Sequence, residues 1–337
     1  MRWGLIGAST IAKEWMIDAI RANGGDIVAV LSSDQSRGQD FADAHQIPHA
    51  VVDLPALFDH GLDAVYISTT NEKHYDQLMA AVDKGVHVLC EKPLALTLDA
   101  ATKMAQACDA AGLVMATNHH LRHAATHRAI REEVQKGSLG VIHAARVFHA
   151  VFLPPHLQGW RINNPATGAG VVLDITVHNA DTLAFLLGEY PEKVTARTHN
   201  HGMAGAAMED AAMGIWEFPS GVMAYTHEGF TLPHAKNGLE LHGSDASLFA
   251  EDVMTQQPKG RITIRRNGDD TVIPTASENL YEIGVGKFVA ACQGGAKPDA
   301  DGWAGVRSLA VALATLDSAD KGQTVTVDYG TVDRGRA

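Results

Sequence analysis

The chain has 337 residues, 46% hydrophobic and 20% charged, with a formal net charge of −12 at pH 7. That length suits two domains at roughly 150 residues each, and the negative balance argues against nucleic acid or an anionic membrane surface as a partner. Three cysteines without CxxC spacing, Cys90, Cys108 and Cys292, read as free thiols of a reducing cytosol. The N-terminus enters a strand without the apolar segment of a signal peptide, and no apolar run approaches the ~18 residues of a membrane span, so a cytoplasmic protein is expected.

Residues 2–7 are expected as an apolar strand and 11–21 as the helix after it. Between them, Gly7-Ala8-Ser9-Thr10-Ile11-Ala12 stands where a dinucleotide fingerprint G-x-G-x-x-G would stand, with Ser9 and Ala12 at the second and third glycine positions. Gly7 keeps the tight turn, and Ser9 and Thr10 can offer hydroxyls and amides to a pyrophosphate at the helix N-terminus. A second strand, 27–31, ends in Ser32-Ser33-Asp34-Gln35-Ser36-Arg37. Two hydroxyls and a guanidinium suit the 2′-phosphate of NADP(H), whereas Asp34 competes as an acceptor for the ribose hydroxyls of NAD. Arg37 reads equally as a solvated helix residue.

Short strand 50–52 and stronger strand 63–69 follow, the latter running into the polar cluster Thr70-Asn71-Glu72-Lys73-His74. After helix 75–84, strand 86–89 leads into Cys90-Glu91-Lys92-Pro93. Pro93 pushes Lys92 into an extended conformation at the carboxyl end of that strand, the edge where open α/β sheets bind ligands. An ammonium held there can polarise a carbonyl oxygen or give it a proton; the ordinary alternative is a surface ion pair at a strand end. Helix 99–111 and strand 113–117 lead into Asn118-His119-His120. This alternation defines an N-terminal Rossmann doubly wound parallel sheet over residues 1–120.

Near residue 120 the pattern changes. Helix 125–136 and a half-exposed strand, 141–152, are followed by segments 193–198, 212–218, 222–229, 239–242, 247–250, 261–266 and 272–275. Turn signals such as Pro219-Ser220-Gly221 and Asn267-Gly268-Asp269 join them into a large, mostly antiparallel sheet. Helices 283–292 and 306–318 and strand 324–327 complete a C-terminal α+β domain, 121–337. One sheet face is left open, to pair into a homo-oligomer or to stay solvated.

Within that domain Asp174, His178 and Asp181 are spaced i, i+4, i+7 and fall within roughly 60° of one another on one helix face. A solvated stripe, a metal site and a His–carboxylate acid–base pair all fit this spacing. Beside a nucleotide-binding half and Lys92, the acid–base pair leads. The chain has 18 histidines, and most need discounting. His119, His120, His123 and His127 have no third ligand and no H-E-x-x-H glutamate, so they are expected as rim or solvated residues. His199 and His201 are expected in loops, and no metal is expected.

The combination has a family resemblance. The turn at Gly7, Thr69-Thr70-Asn71-Glu72-Lys73-His74, Glu91-Lys92-Pro93, and Gly168-Ala169-Gly170 followed by Asp174 and His178 resemble the glucose–fructose oxidoreductase and inositol dehydrogenase (Gfo/Idh/MocA) family. Glu91-Lys92-Pro93 marks the family; longer strings, such as Leu153-Pro154-Pro155-His156-Leu157-Gln158-Gly159-Trp160-Arg161, are more specific. The likeness runs along nearly the whole chain. It departs from the general family at two fingerprint glycines, which bears on NAD preference more than on binding.

The resemblance implies an NADPH-dependent oxidoreductase that reduces a cyclic keto-sugar. Ser9, Thr10 and Ile11 would meet the pyrophosphate, and Ser32, Ser33 and Arg37 the 2′-phosphate. Thr69, Thr70, Asn71, Glu72, His74, Glu91, Lys92, Asn118, Trp160, Arg161 and Tyr281 would line the rest of the cofactor pocket. Lys92, Asp174 and His178 would carry the chemistry, with Arg161 orienting the substrate. Reference pKa values make His178 the natural proton donor near neutrality and Lys92 the standing charge, although the sequence does not decide between them. Two other readings stand: a sibling NAD(P)-dependent sugar or cyclitol dehydrogenase, and a non-catalytic nucleotide sensor on the same fold.

Overall fold

The computed structural model describes residues 1–332; residues 333–337 of the expected second domain lie outside the described residues. Two units emerge: Met1–His120 with Tyr281–Val306, and Leu121–Leu280 with the chain from Arg307 on. The return of residues 281–306 to the first unit has no counterpart in the sequence reading. Its cause is contact at long sequence separation: Phe288 lies against Trp3 with ring centroids 5.4 Å apart, and Trp303 Nε1 donates to Asp109 at 2.7 Å.

The first unit alternates β1 (Arg2–Ile6), α1 (Ile17–Ala22), β2 (Asp26–Leu31), α2 (Gln35–His45), β3 (His49–Val51), α3 (Leu54–Phe58), β4 (Ala64–Ile67), α4 (His74–Asp83), β5 (His87–Cys90), α5 (Leu98–Ala110) and β6 (Met115–Thr117). Its strands form a parallel sheet in the order β3-β2-β1-β4-β5-β6. Every residue of β4 is buried, as expected of a central parallel strand covered on both faces. The order reverses beside β1, which makes the end of that strand the switch point of the sheet. Two local features differ from expectation. The expected helix 11–21 begins as a π-turn, Ala12–Met16, before α1. Short α3, unanticipated, is capped by Asp53, whose carboxylate accepts from Ala56 N at 2.9 Å.

In the second unit come α6 (Ala125–Gln135), β7 (Ile142–Ala150), α7 (Pro155–Asn163), α8 (Val177–Leu187), β8 (Lys193–His199), β9 (Ala211–Glu217), β10 (Met223–Gly229), β11 (Gly238–Gly243), β12 (Ser247–Glu251), β13 (Arg261–Arg266) and β14 (Asp269–Ile273). Then follow α9 (Leu280–Cys292), which belongs to the first unit from Tyr281, α10 (Gly302–Lys321) and β15 (Val325–Thr326). The sheet order is β14-β13-β12-β11-β7-β10-β9-β8-β15, antiparallel throughout except for the parallel β7–β10 pair. Strand β14 starts earlier than the expected 272. Asn267 and Gly268 both take positive φ, the conformation of a two-residue hairpin turn, so Asp269 pairs at once with Arg266.

The stretch Pro165–Leu187 is apolar and long enough to cross a membrane by length and composition, which goes beyond the apolar runs allowed for in the sequence reading. Its most hydrophobic window is 89% buried inside the protein, and every residue of α8 except Leu187 is buried. Its apolar character serves the core between α6 and the sheet.

Candidate active site

The first turn of the Rossmann unit is built for close approach. Gly7 has φ +118°, and a Cβ there would stand 3.1–3.2 Å from the backbone of Ser68 and Thr69. Ser9 Oγ accepts from Ala12 N at 3.1 Å and shares a 2.7 Å hydrogen bond with Ser68 Oγ. Thr10 and Ile11 are half-buried beside it. Ser9 therefore caps the helix while lying in the turn where a phosphate would meet it.

At the end of β2 the three candidates separate. Asp34 is the N-cap of α2, its carboxylate accepting from Arg37 N at 2.7 Å. Arg37 folds back so that Nε donates to Ser32 Oγ at 3.2 Å and Nη2 to Ser33 Oγ at 3.1 Å. Ser32 is buried, whereas Ser33 and Arg37 are exposed. The competing carboxylate is engaged by the helix, and the hydroxyls and guanidinium form one cluster.

The loops after β4, β5 and β6 are tied together by polar side chains. Thr69 Oγ1 donates to Gln77 Oε1 at 2.6 Å, and Thr70 Oγ1 to Glu72 Oε1 at 2.7 Å; Asn71 is buried. His74 is fully buried, with Nδ1 3.0 Å from Pro93 O and Nε2 3.2 Å from Thr69 O. Burial lowers its pKa, against the raising effect of those carbonyls. His74 thus braces the β4 loop against the residue that follows Lys92. Glu91 Oε1 receives two bonds of 2.6 Å, from Tyr66 Oη and Asn118 Nδ2. Burial and then the Glu91 charge raise the Tyr66 pKa well above its ordinary value. Lys92, half-buried, sits next to this fixed carboxylate at the strand end. Tyr281 is 1% exposed and stacks between Trp15 and His120, with centroids 5.2 and 5.1 Å away.

The second unit carries the other set. A π-turn, Val172–Thr176, holds Asp174 and runs directly into α8, where His178 is the second residue. Such turns recur at functional sites because they displace side chains from the α-helical register. Gly170, φ +106°, opens it; a Cβ there would collide with Glu209, whose Oε1 accepts from Val172 N at 3.1 Å. Arg161 Nε stands 3.5 Å from Asp174 Oδ1, and its guanidinium lies 4.8 Å over the Trp160 ring. Gly159, with φ 29° and ψ −124°, breaks α7 just before that pair. Asp181, the third member of the expected stripe, is buried and takes Arg122 in a bidentate pair with bonds from 2.6 to 3.0 Å. It is part of the core, not of a solvated face.

Burial also corrects the histidine reading. His119, His120, His123 and His127 are all buried, which removes the solvated alternative and leaves the rim reading as an expectation. His199 is the last residue of β8, not a loop residue. Among the described residues no group of three or more His, Cys, Asp or Glu is arranged to hold a metal ion.

Sequence reasoning missed the polar groups around His178. The ring of His149 lies 6.0 Å from that of His178, its Nδ1 is 3.0 Å from Asn179 Oδ1, and Asn179 Nδ2 donates to Glu228 Oε1 at 2.8 Å. One signal was present: the alternation of β10 puts Glu228 on the same inward face as Ala224 and Thr226, where a carboxylate needs a partner.

Residues 1–119 match the model of an oxidoreductase family with an NAD-binding Rossmann fold, and residues 127–249 match the GFO/IDH/MocA C-terminal domain. With that fold and these strand-end residues, the chain belongs to the GFO/IDH/MocA family of oxidoreductases. It is 49% identical over 330 residues to the 1,5-anhydro-D-fructose reductase of Ensifer adhaerens, covering 98% of this chain and 99% of that one. It is 29% identical over 332 residues to the D-xylose 1-dehydrogenase (NADP(+)) 2 of Haloferax volcanii, covering 97% and 100%. Among solved structures, the aldose–aldose oxidoreductase of Caulobacter crescentus complexed with glycerol has the same fold, with TM-score 0.88, 22% identity, and 97% and 99% coverage. Levoglucosan dehydrogenase in complex with NADH and levoglucosan is similar, at TM-score 0.86, 18% identity, and 97% and 99% coverage.

Proposed function

We propose that this oxidoreductase reduces the C2 carbonyl of 1,5-anhydro-D-fructose to 1,5-anhydro-D-mannitol with NADPH. The observation that carries the reading is the 49% identity to the Ensifer adhaerens reductase along 98% of the chain. The residues of the first unit suit the cofactor. The space kept open by Gly7 and the Ser9 cap favour a pyrophosphate. The exposed Ser33–Arg37 pair, beside an Asp34 already engaged by the helix, favours a 2′-phosphate over a bare ribose. Thr69, Thr70, Asn71, Glu72, Glu91, Asn118 and Tyr281 shape the remainder of that pocket. His74 supports it from behind.

Bound NADPH would supply the hydride. The protein must then meet the negative charge that grows on the carbonyl oxygen, and fixed donors are most effective where water is excluded. His178, buried and carried by the rigid start of α8, gives the proton, and Lys92 supplies standing positive charge. Asp174 is held by Arg161, and the Trp160–Arg161 pair orients the sugar ring so that one carbonyl face is presented.

Incubation with NADPH and the anhydro-keto-sugar, followed by NMR of the alcohol, tests the reading. The manno epimer alone is expected, with NADPH used in preference to NADH. A gluco product, mixed epimers, or faster turnover of an unrelated sugar would overturn it, and binding without turnover would point to a nucleotide sensor. Two further parts of the proposal concern the setting. The open face of the nine-stranded sheet exposes Met213, Ile215, Met223 and Tyr225, which supports a homo-oligomer through that face. Free Cys90, Cys108 and Cys292 favour the cytoplasm.

A further inference from the structure

The proposed reaction leaves unused a buried polar chain that runs across the inner face of the β7–β10 pair to the start of α8. Its members come from three elements far apart in sequence: His149 on β7, Asn179 on α8 and Glu228 on β10. His149 and Glu228 are direct neighbours in the parallel register, and Asn179 reaches both. We propose that Glu228, acting through Asn179 and His149, positions His178 and sets its affinity for the proton it donates; the proposal rests on His178 being that donor.

The hydrogen bonds fix the orientation of each group. Asn179 gives its Nδ2 hydrogens to Glu228 at 2.8 Å, so its Oδ1 is the atom that faces His149 Nδ1 at 3.0 Å. Nδ1 of His149 must therefore carry a proton, which leaves Nε2 as the variable nitrogen of that ring. The His149 ring is tilted by 45° against that of His178, with 6.0 Å between centroids. A carboxylate thus specifies a tautomer two side chains away, next to the proton donor. A chain of this kind in a low-dielectric interior also transmits charge effectively.

Glu228 is the member whose charge changes near neutrality. Burial pushes its carboxyl up to about 7, against the pull of the Asn179 hydrogen bond. The groups packed around it respond elsewhere. On α6, His127 is driven down to about 4 by burial and then by His149, so it stays neutral in the working range. On α8, Asp181 is closed into its pair with the Arg122 guanidinium. On the other side of β10, β9 places only Ala212 opposite Glu228. Above about 7 an ionised Glu228 favours the imidazolium form of His178. Below it, an imidazolium forms with little help from Glu228, since an ordinary histidine titrates at about 6.5. The two ionisations favour each other, so removing the Glu228 charge lowers the pH at which His178 gives up its proton.

Glu228→Gln keeps an oxygen for Asn179 and removes the charge. In the reducing direction, the pH at which kcat/KM falls to half should drop by roughly one unit, while the limiting rate at low pH changes less than about threefold. A uniform loss at every pH, with the profile unmoved, would show a structural role only and overturn the proposal. A second measurement needs no Glu228 variant. The His178 ring proton signal, identified by its loss in His178→Gln, should titrate in two steps in the unmodified protein, the upper near neutrality. A single step would overturn the coupling. Retained turnover in His178→Gln with the two-step titration intact would remove His178 from the chemistry and leave the positioning chain standing.

Discussion

The two units solve the same problem, that of holding polar groups ready for chemistry, in opposite ways. In the first, candidate residues lie one after another at the carboxyl ends of parallel strands: Ser9 after β1, Ser33 and Arg37 after β2, Thr69 after β4, Lys92 after β5 and Asn118 after β6. Several are half-buried or exposed and are held by short bonds to near neighbours or to the adjoining loop. In the second unit the groups around His178 are buried and come from β7, α8 and β10, His149 and Asn179 being 30 positions apart in sequence and Asn179 and Glu228 49 apart. An open sheet edge keeps side chains available to a ligand. A sheet face covered by a helix excludes water and turns each polar group into an obligation on its neighbour.

The contrast is broken most directly at the chemistry itself. Lys92→Met and His178→Gln should each lower kcat by about 10²- to 10³-fold, the usual loss for one donor to a developing oxyanion. NADPH binding, followed by fluorescence, should weaken less than tenfold in both. Near-normal kcat in either variant would remove that residue from the site, whatever its place in the fold.

The next largest effect is a pH dependence carried by two buried groups of the second unit, Glu228 and His127. The pKa of Glu228, raised from the ordinary 4.5 to about 7 by burial, means that the folded state holds a proton the unfolded chain releases. Stability is therefore lost as pH rises through the window from about 4.5 to 7, by roughly 3 kcal/mol for a shift of that size. His127 runs the other way: its pKa falls from 6.5 to about 4, so stability is lost as pH falls through that interval, again by roughly 3 kcal/mol. The two slopes nearly cancel in the unmodified protein where the windows overlap. Glu228→Gln should gain stability relative to it as pH rises from 4.5 to about 7, and His127→Gln should lose relative stability as pH rises from about 4 to 6.5. Urea unfolding at four or five pH values checks both. A constant offset between variant and parent would mean that neither group is titrating as its burial demands.

How much of this was legible in the sequence follows from the same contrast. Parallel strands announce their ends, because a buried apolar run stops at a polar turn; hence the six-stranded sheet was legible, and Gly7, Ser9, Arg37, Asn71, Lys92 and Asn118 could be placed at its strand ends as candidates. The alternation of the later strands gave the antiparallel sheet as well. Helical spacing grouped Asp174 with His178 as candidates but did not show the π-turn that holds Asp174, since the extra residue leaves no mark in a period of 3.6. It also grouped Asp181 with them, although burial commits that residue to Arg122. Glu228 and His149 were passed over because their meaning depends on which helix covers the sheet, and that is fixed by contacts between distant segments. The return of residues 281–306 to the first unit was missed for the same reason: nothing near Phe288 in sequence mentions Trp3.

The smallest predicted effect tests whether the strand-end cluster after β2 is a ligand site or only a local brace. Arg37 has two separable functions. Its backbone amide completes the cap with Asp34, and its guanidinium draws Ser32 and Ser33 together. Arg37→Ala keeps the amide, so α2 and the stability of the unit should change by less than about 1 kcal/mol, the range for an exposed side chain away from special features. If the guanidinium meets a 2′-phosphate, the loss of its charge-assisted bonds is of the order of 1.5–3 kcal/mol, which is roughly 10- to 100-fold in NADPH affinity. NADH, which has no phosphate there, should bind within about twofold of its original strength. The comparison of the two cofactors in one variant is what decides: a loss confined to NADPH assigns the cluster to the phosphate, whereas equal losses for both would make Arg37 a brace for the strand end and return the choice of cofactor to the turn at Ser9.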